Sequence, residues 1–230
     1  MKLLAIETST DACSVALMIG NQVLSDHRVE KQKHGALLLP MVDALMAQAG
    51  IRAAELDALV YGCGPGSFTG VRIGVASAQG IALGADIGVV GISTLQSIAQ
   101  GCYREYKEEG VAVSVDARMN EVYFCQYVLD EHKLMQAVVD EQLLSPHALE
   151  AMGVSCWAGT GAKQYEHMIV GETGTPGIRI HGDQLPSALD HLTLAKPAVL
   201  AGKLQPAELA SPVYLRNKVA LTTAERKVSS

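Results

Sequence analysis

The segment GCGPGSFTGVRIG, residues 62–74, is the stretch whose composition most directly suggests chemistry. It follows an apolar run and precedes a helical pattern, so its backbone N–H groups could bind an anion at the start of a helix. However, Gly70 is followed by Val71 and Arg72, whereas a Walker A loop has Lys-Ser or Lys-Thr there, and the glycine spacing does not match GxGxxG. The segment therefore lacks both of the recognised phosphate-binding motifs.

The same segment contains Ser67, a candidate nucleophile. A nucleophile elbow has glycine two positions before and two positions after the serine, but Pro65 and Thr69 stand there. We therefore favour a structural role for this segment, as a hinge that sets the angle of the following helix. Anion contact and a serine nucleophile stay as the alternatives.

Two acidic residues at the ends of predicted strands form a second candidate site. Glu7 is followed by the hydroxyl-bearing turn Thr-Ser-Thr, and Asp116 ends a strand that is followed by a similar turn. Paired acids can bind magnesium, and acids at such positions also cap turns. We favour turn capping, and we keep Glu7, Ser9 and Asp116 as a candidate nucleotide cleft.

The histidines and cysteines predict no metal centre. The seven histidines include no HExxH or HxxxH pair, and the five cysteines are widely spaced without a CxxC pair. This spacing indicates no metalloprotease site, no zinc site and no disulfide framework. We predict no metal and no cofactor, and free thiols fit a reducing cytoplasm.

The elements that would position these residues can be predicted from hydrophobic periodicity. The first thirty residues predict a β-meander of three strands, KLLAIE, CSVALMI and QVLSDHRV. Helices are predicted at about 36–48, 70–83 and 94–107, separated by the strands LDALVYG and IGVVGI. The order βββαβαβα predicts an α/β fold with a mixed sheet and helices on its faces.

The second half of the chain partly repeats the first. VAVSVDARMNEVYFCQYVL again predicts a strand, a turn with an acid at its mouth and a second strand. Two such units are typical of the actin, sugar-kinase and heat-shock ATPase superfamily, although two hairpins can also resemble each other by chance. We predict two lobes, 1–108 and 109–208, and a tail, 209–230, for which a return to the first lobe is one option.

The predicted helices at 36–48 and 70–83 carry more apolar or small surface than one core-facing stripe needs. On the first helix the apolar arc spans roughly 220°, about twice the width of one stripe. The second contains two internal glycines, which suggest close approach to a neighbour. We favour a partner protein over a wholly internal core. The predicted contact residues are Leu37, Leu38, Met41, Leu45, Arg72, Val75 and Gln79.

Composition and charge agree with a partner-dependent protein. The chain has 230 residues and a formal net charge of −6, which argues against a protein that grips a nucleic-acid backbone by itself. Hydrophobic residues make up 49% and charged residues only 18%, so another chain is expected to cover part of the apolar surface. The long weakly charged stretch after residue 73 is interrupted by glycines and glutamines, so we predict no membrane span.

Several segments together resemble the TsaB (YeaZ) family. They are LAIETST, KHGALLLPMV, YGCGPGSFTGVRIG, GISTLQSIAQG, DARMNEVYF and PVYLRN. The similarity runs from residue 1 to about 128 and resumes near 212, and GPGSFTGVRIG is its most specific part. The resemblance implies an actin-like, ribonuclease-H-like fold of two lobes, each a mixed sheet with flanking helices. It also implies a cytoplasmic role in forming threonylcarbamoyladenosine beside the anticodon of tRNAs that read codons beginning with A.

The resemblance further implies a non-catalytic subunit. In this family the transfer is carried out by TsaD, a paralogue, together with TsaB and the small ATPase TsaE. TsaD holds a metal through an HxxxH pair, and these positions fall on Thr94 and Ile98 here, neither of which can replace histidine as a ligand. The implied partners are TsaD, TsaE, a second copy when the chain is alone, and tRNA only through the complex. The alternatives are a free-standing actin-like ATPase or kinase and a glycoprotease-like metallopeptidase.

Overall fold

Two β-sheets form the framework of the protein, in a computed structural model that describes residues 1–150, 153–172 and 178–216. The strands of the first sheet are β1 (Lys2–Glu7), β2 (Ala12–Ile19), β3 (Gln22–Val29), β4 (Ala58–Gly64) and β5 (Val89–Ser93). They lie in the order β3-β2-β1-β4-β5. The first three form an antiparallel meander, whereas β1, β4 and β5 run parallel. The predicted meander and mixed sheet are confirmed.

The second sheet repeats this plan, although β6 and β7 are its only described strands longer than three residues. Its strands are β6 (Gly110–Asp116), β7 (Val122–Leu129), β8 (Met135–Ala137), β9 (Gln142–Leu144), β10 (Cys156–Ala158) and β11 (Arg179–His181). The order is β11-β10-β6-β7-β8, and β9 also pairs with β7. Antiparallel β6 and β7 correspond to β1 and β2, and β10 and β11 run parallel to β6 as β4 and β5 do to β1. The predicted fold of two actin-like lobes is confirmed.

Six α-helices within the described residues flank the sheets. They are α1 (His34–Ala49), α2 (Phe68–Ala85), α3 (Thr94–Tyr106), α4 (Thr160–Gln164), α5 (Glu166–Glu172) and α6 (Ala188–Leu200). The first three begin within two residues of the predicted starts. None of the described helices is long and apolar enough to cross a membrane.

Opposite faces of the first sheet are covered by different helices. Leu4 and Ile6 of β1 belong to the core that α1 and α2 complete. Leu3 and Ala5 belong to a separate core that α6 completes, with Leu192 among its buried side chains. Because successive side chains of a strand point to opposite faces, α1 and α2 lie on one side of the sheet and α6 lies on the other.

The helices do not follow the predicted boundary between residues 1–108 and 109–208. α3 precedes that boundary, yet Leu95 and Ile98 pack against the second sheet. α6 follows the boundary, yet it packs on the first sheet. Each sheet is therefore covered in part by a helix from the other part of the sequence. A lobe boundary placed at a single position in the chain cannot describe this exchange.

The glycine-rich segment packs against the turn that follows β1. A Cβ atom at Gly66 would overlap the carbonyl oxygen of Ser9, and one at Gly70 would overlap the carbonyl oxygen of Thr8. Ser67 caps α2, because its Oγ accepts a hydrogen bond from the backbone N–H of Gly70. The segment thus fixes the start of α2 against the first turn, as the hinge interpretation predicts.

This close approach gives a test with an internal control on the same helix. We expect Gly70→Ala to lower the free energy of unfolding by about 3 kcal/mol, because the backbone of Thr8 must move to admit a methyl group. Gly80 has no atom within 4 Å of a built Cβ, so Gly80→Ala should raise it by about 0.5–1 kcal/mol through helix propensity. Urea denaturation of both variants measures the two effects, and equal stabilities would contradict the argument.

Candidate functional site

A cavity of about 870 Å³ lies between the two lobes. Its lining comes from the turn at 9–11, the start of α1, the start of α2 and the turn at 115–119, together with residues 213–216. The two turns are the equivalent turns of the two sheets, so the repeat in the sequence places them opposite each other. This cavity is the main candidate for a binding site.

The structure brings only two of the three predicted cleft residues to this cavity. Ser9 and Asp116 line it, whereas Glu7 does not. Both acids cap their own turns, because Glu7 Oε1 accepts a hydrogen bond from the backbone N–H of Ser9 and Asp116 Oδ1 accepts one from Arg118. The turn-capping interpretation is confirmed. The inclusion of Glu7 in the cleft is wrong, since its side chain is fully buried.

Glu7 instead faces His191, a residue that the sequence analysis did not single out. His191 Nε2 lies 3.2 Å from Glu7 Oε2, and both side chains are inaccessible to solvent. Burial by itself would raise the pKa of Glu7, but hydrogen bonds and charge from His191 and Ser9 outweigh it and hold the pKa below its usual value. The carboxylate is therefore held inside the protein and is not offered to a ligand.

Residues 210–216, here called the C-terminal strap, connect the lobes beside the cavity. The backbone N–H of Ser211 donates to the Tyr61 hydroxyl, and that of Val213 donates to the carbonyl of Cys63, both on β4. Arg216 then reaches the second lobe, where it donates to the carbonyl of Ala117. It also forms an ion pair with Glu121, at the end of the same turn, at 2.6 Å. The described part of the predicted tail thus contacts both lobes, while residues 217–230 lie outside the described residues.

An exposed cluster of one cation and two aromatic rings stands at the start of α2. The Arg72 guanidinium lies 3.2 Å from the ring centre of Phe68 and 5.0 Å from that of Tyr214, a strap residue. Both rings are about half exposed, at 54% and 49%. The Arg72 side chain is therefore held in place by stacking while it stays accessible from outside.

The structure corrects the choice of side chains in the predicted partner interface. Leu38, Met41, Leu45 and Val75 are buried in the core of the first lobe, because they form the sheet-facing stripe of their helices. They cannot contact another protein in this fold. Leu37 packs partly against the same core, Gln79 donates to the carbonyl of Ala210, and Arg72 is exposed. That α1 and α2 carry a partner interface stays a prediction.

The outward sides of α1 and α2 form a surface that we call the α1–α2 face. Most of its exposed residues are small or apolar, with Asp43, Gln48 and Arg72 as the polar ones: Ala36, Leu39, Pro40, Asp43, Ala44, Ala47, Gln48, Arg72, Ala76, Gly80, Leu83 and Gly84. The two helices are fully described and contain one acidic residue, Asp43, and one basic residue, Arg72. An apolar surface with so little charge is typical of a protein interaction site.

One group of side chains in the second lobe has metal-ligand chemistry. The ligand atoms of Glu108, Cys156 and His181 lie within 4.8 Å of one another. However, Arg179 donates to both oxygens of Glu108 at 2.5 and 2.6 Å, and these hydrogen bonds, together with one from Ser155, lower the pKa of Glu108 to about 2. The group is therefore accounted for as a structural ion pair.

The comparisons with known proteins agree on one family. The family model described as TsaD, tRNA N6-adenosine threonylcarbamoyltransferase, matches residues 19–201. The Escherichia coli K12 protein named tRNA threonylcarbamoyladenosine biosynthesis protein TsaB is 39% identical over 225 residues, which cover 96% of each chain. The Haemophilus influenzae protein of the same name is 38% identical over 229 residues, 95% of each chain. The structure of YeaZ from Pseudomonas aeruginosa superposes with a TM-score of 0.85 at 39% identity, over 93% of this chain and 99% of that one.

Proposed function

The chain belongs to the TsaB (YeaZ) family, and on this basis we propose that it is a non-catalytic subunit required for threonylcarbamoyladenosine formation in tRNA. In the proposed complex the chemistry belongs to TsaD, and TsaE supplies ATPase activity. The modified base is the adenosine beside the anticodon of tRNAs that read codons beginning with A. Contact with tRNA occurs only through the assembled complex.

The observation that carries this proposal is the α1–α2 face. Small residues let the backbone of a partner helix approach closely, and exposed apolar side chains such as Leu39 and Leu83 lose water contact when covered. TsaD is a paralogue whose family model matches this chain, so it is expected to present a related pair of helices. We place TsaD on this face, and a second copy of the chain takes its place when TsaD is absent.

The arrangement of polar side chains supports a subunit without its own catalytic site. The carboxylate of Glu7 is buried against His191, and the carboxylate of Asp116 caps its turn. The positions aligned with the metal-binding histidines of TsaD hold Thr94 and Ile98. Thr94 donates to Ser9 and Ile98 is fully buried in the core, so both are committed to packing. A free-standing ATPase is the weaker alternative, because it would need Glu7 in the cleft.

Reconstitution tests the proposed function. We expect TsaD, TsaE and the enzyme that makes threonylcarbamoyl-adenylate to modify tRNA when this chain is added and to give only background levels without it. Nucleoside mass spectrometry of the digested tRNA measures the product. The proposal would be wrong if the chain modified tRNA unaided, or if its omission left the yield unchanged.

A further inference from the structure

Strand β3 is a long edge of the first sheet that no described segment covers. It has eight residues and pairs with β2 alone within the described ranges. The opposite edge of the sheet is partly covered, because Gln205 exchanges backbone hydrogen bonds with Val89 of β5. The strands at the edges of the second sheet, β8, β9 and β11, have only three residues each. In the described part of the chain, β3 is therefore the one long edge that is open to pairing.

The backbone of β3 presents donors and acceptors on its outer side. A two-residue turn joins β2 to β3, so the pair that closes it, Ile19 and Gln22, exchanges hydrogen bonds. The pairing alternates along an unbroken register, so the N–H and C=O groups of every second residue point away from β2. These residues are Val23, Ser25, His27 and Val29. Their backbone groups have no hydrogen-bond partner among the described residues, so they can pair with one further strand.

β3 lacks the features that normally keep an exposed edge from pairing. It contains no lysine and no proline, and no bulge interrupts its register with β2. Val23 and Val29 are 45% and 59% exposed, so the edge also carries apolar surface. Its one acid and its one guanidinium balance each other, because Asp26 and Arg28 form an ion pair at 2.6 Å. The edge therefore carries no excess charge that would repel another strand.

The order of charges along β3 favours a second copy of the same strand. When two copies run antiparallel about a twofold axis at His27, Asp26 of each copy lies opposite Arg28 of the other. Outward-pointing backbone groups then meet outward-pointing groups, and the two charged pairs fall at the positions where side chains approach most closely. Opposite charges at such positions contribute about 0.2–1 kcal/mol each. A shift of the axis to Asp26 would place the two aspartates opposite each other, which is destabilising.

We propose that two copies of this chain associate through β3, so that their two first sheets become one continuous sheet with twofold symmetry. The interface is isologous, with backbone hydrogen bonds along the strands and reciprocal ion pairs between Asp26 and Arg28. It uses no residue of the α1–α2 face, so a protein bound to that face leaves β3 free. This inference does not depend on the proposed role in tRNA modification.

Cysteine substitution in the full chain tests both the pairing and its register. In the proposed arrangement His27 lies opposite its own copy, and the Cα separation of about 5.5 Å in such a pair suits a disulfide. Mild oxidation of His27→Cys should therefore give a cross-linked dimer well above the level of the unaltered chain. Ser25→Cys is an equally exposed control that lies opposite Val29 of the other copy, so it should give little. Electrophoresis without reductant measures the dimer. Equal yields from the two variants, or no dimer from His27→Cys, would overturn the proposal.

Charge reversal tests the same contact with an internal rescue. Asp26→Arg and Arg28→Asp each place like charges opposite each other, so each should weaken dimerisation at least about tenfold, the equivalent of about 1.4 kcal/mol. The swap Asp26→Arg/Arg28→Asp restores opposite charges across the axis and should restore the association. Sedimentation equilibrium measures it in chains that also carry Leu39→Glu and Ala76→Glu, which charge the α1–α2 face and suppress association there. The proposal fails if these chains are monomeric at about 0.5 mM, a concentration at which even weak specific interfaces form. It also fails if the single reversals have no effect or if the swap does not recover what they lose.

Discussion

Replacement of His191 by leucine is expected to lower the free energy of unfolding by about 3–5 kcal/mol at pH 7, because it leaves the carboxylate of Glu7 buried without the imidazole that faces it. For a chain of this size the melting temperature should fall by about 10 °C. The loss of packing around a fully buried side chain contributes to this change, so the electrostatic part needs a separate signature. The pH dependence supplies one.

The expected pH dependence follows from the direction of each pKa shift. In the native protein the pKa of Glu7 is lowered, so its contribution to stability is present above the unfolded-state pKa of about 4.3 and is lost as the pH falls through the folded value. Without His191, burial raises that pKa above the unfolded value. The contribution in His191→Leu is then fully present below about pH 4.3 and is lost as the pH rises. The stability difference between the two proteins should therefore shrink on acidification.

A double variant separates charge from packing. Glu7→Gln removes the charge but keeps an oxygen that can accept from Ser9, so Glu7→Gln/His191→Leu should be more stable at pH 7 than His191→Leu alone. Denaturant unfolding of the native chain and of both variants between pH 4.5 and 8 measures these differences. A stability gap that does not change with pH, or a double variant less stable than the single one, would show that packing alone sets the effect.

The second large effect is expected at the α1–α2 face. Leu39→Glu and Ala76→Glu each place a carboxylate on an exposed part of this surface, where the free chain can hydrate it. In a complex that covers the face, the same carboxylate would be buried without a partner charge. We expect the double variant to bind TsaD at least about 100-fold more weakly, the equivalent of about 2.7 kcal/mol.

A matched control and a stability measurement make this prediction specific. Thr193→Glu/Leu200→Glu introduces the same two charges at exposed positions of α6, on the opposite side of the first sheet, and should leave TsaD binding unchanged. All variants should keep thermal stabilities close to that of the native chain, since exposed substitutions cost little. Calorimetric titration measures binding to TsaD. Light scattering of the chain alone measures its association with a second copy. Unaltered binding by Leu39→Glu/Ala76→Glu would place the interface elsewhere.

The predicted interface shows where sequence periodicity stops being informative. On α1 the apolar arc covers both the stripe that faces the sheet and the side that faces outward, so composition could not separate Leu38 from Leu39. Only the packing against the first sheet decided that Leu38 is 1% exposed and Leu39 is 49% exposed. The sequence identified α1 and α2 as unusually apolar helices, and the tertiary structure decided which of their sides face the sheet and which face outward.

The acids give the complementary case. Capping of the two turns was predictable, because each carboxylate accepts an N–H only two residues further along the chain. The pairing of Glu7 with His191 was not, since the two residues lie near opposite ends of the sequence and no spacing rule connects them. The same applies to the positions of α3 and α6, each of which covers the sheet of the other part of the chain.

The sequence by itself determined strands β1–β7, helices α1–α3, the repeated turns and the family. These depend on hydrogen bonds and side-chain periodicity within a few residues, and the amino-acid order records such patterns directly. Only the tertiary structure decided which acid is buried, which side of each helix is exposed and which groups line the cavity between the lobes. Those properties depend on contacts between segments that are distant in sequence. Such contacts form only when the chain folds and brings these segments together, so no local pattern in the sequence records them.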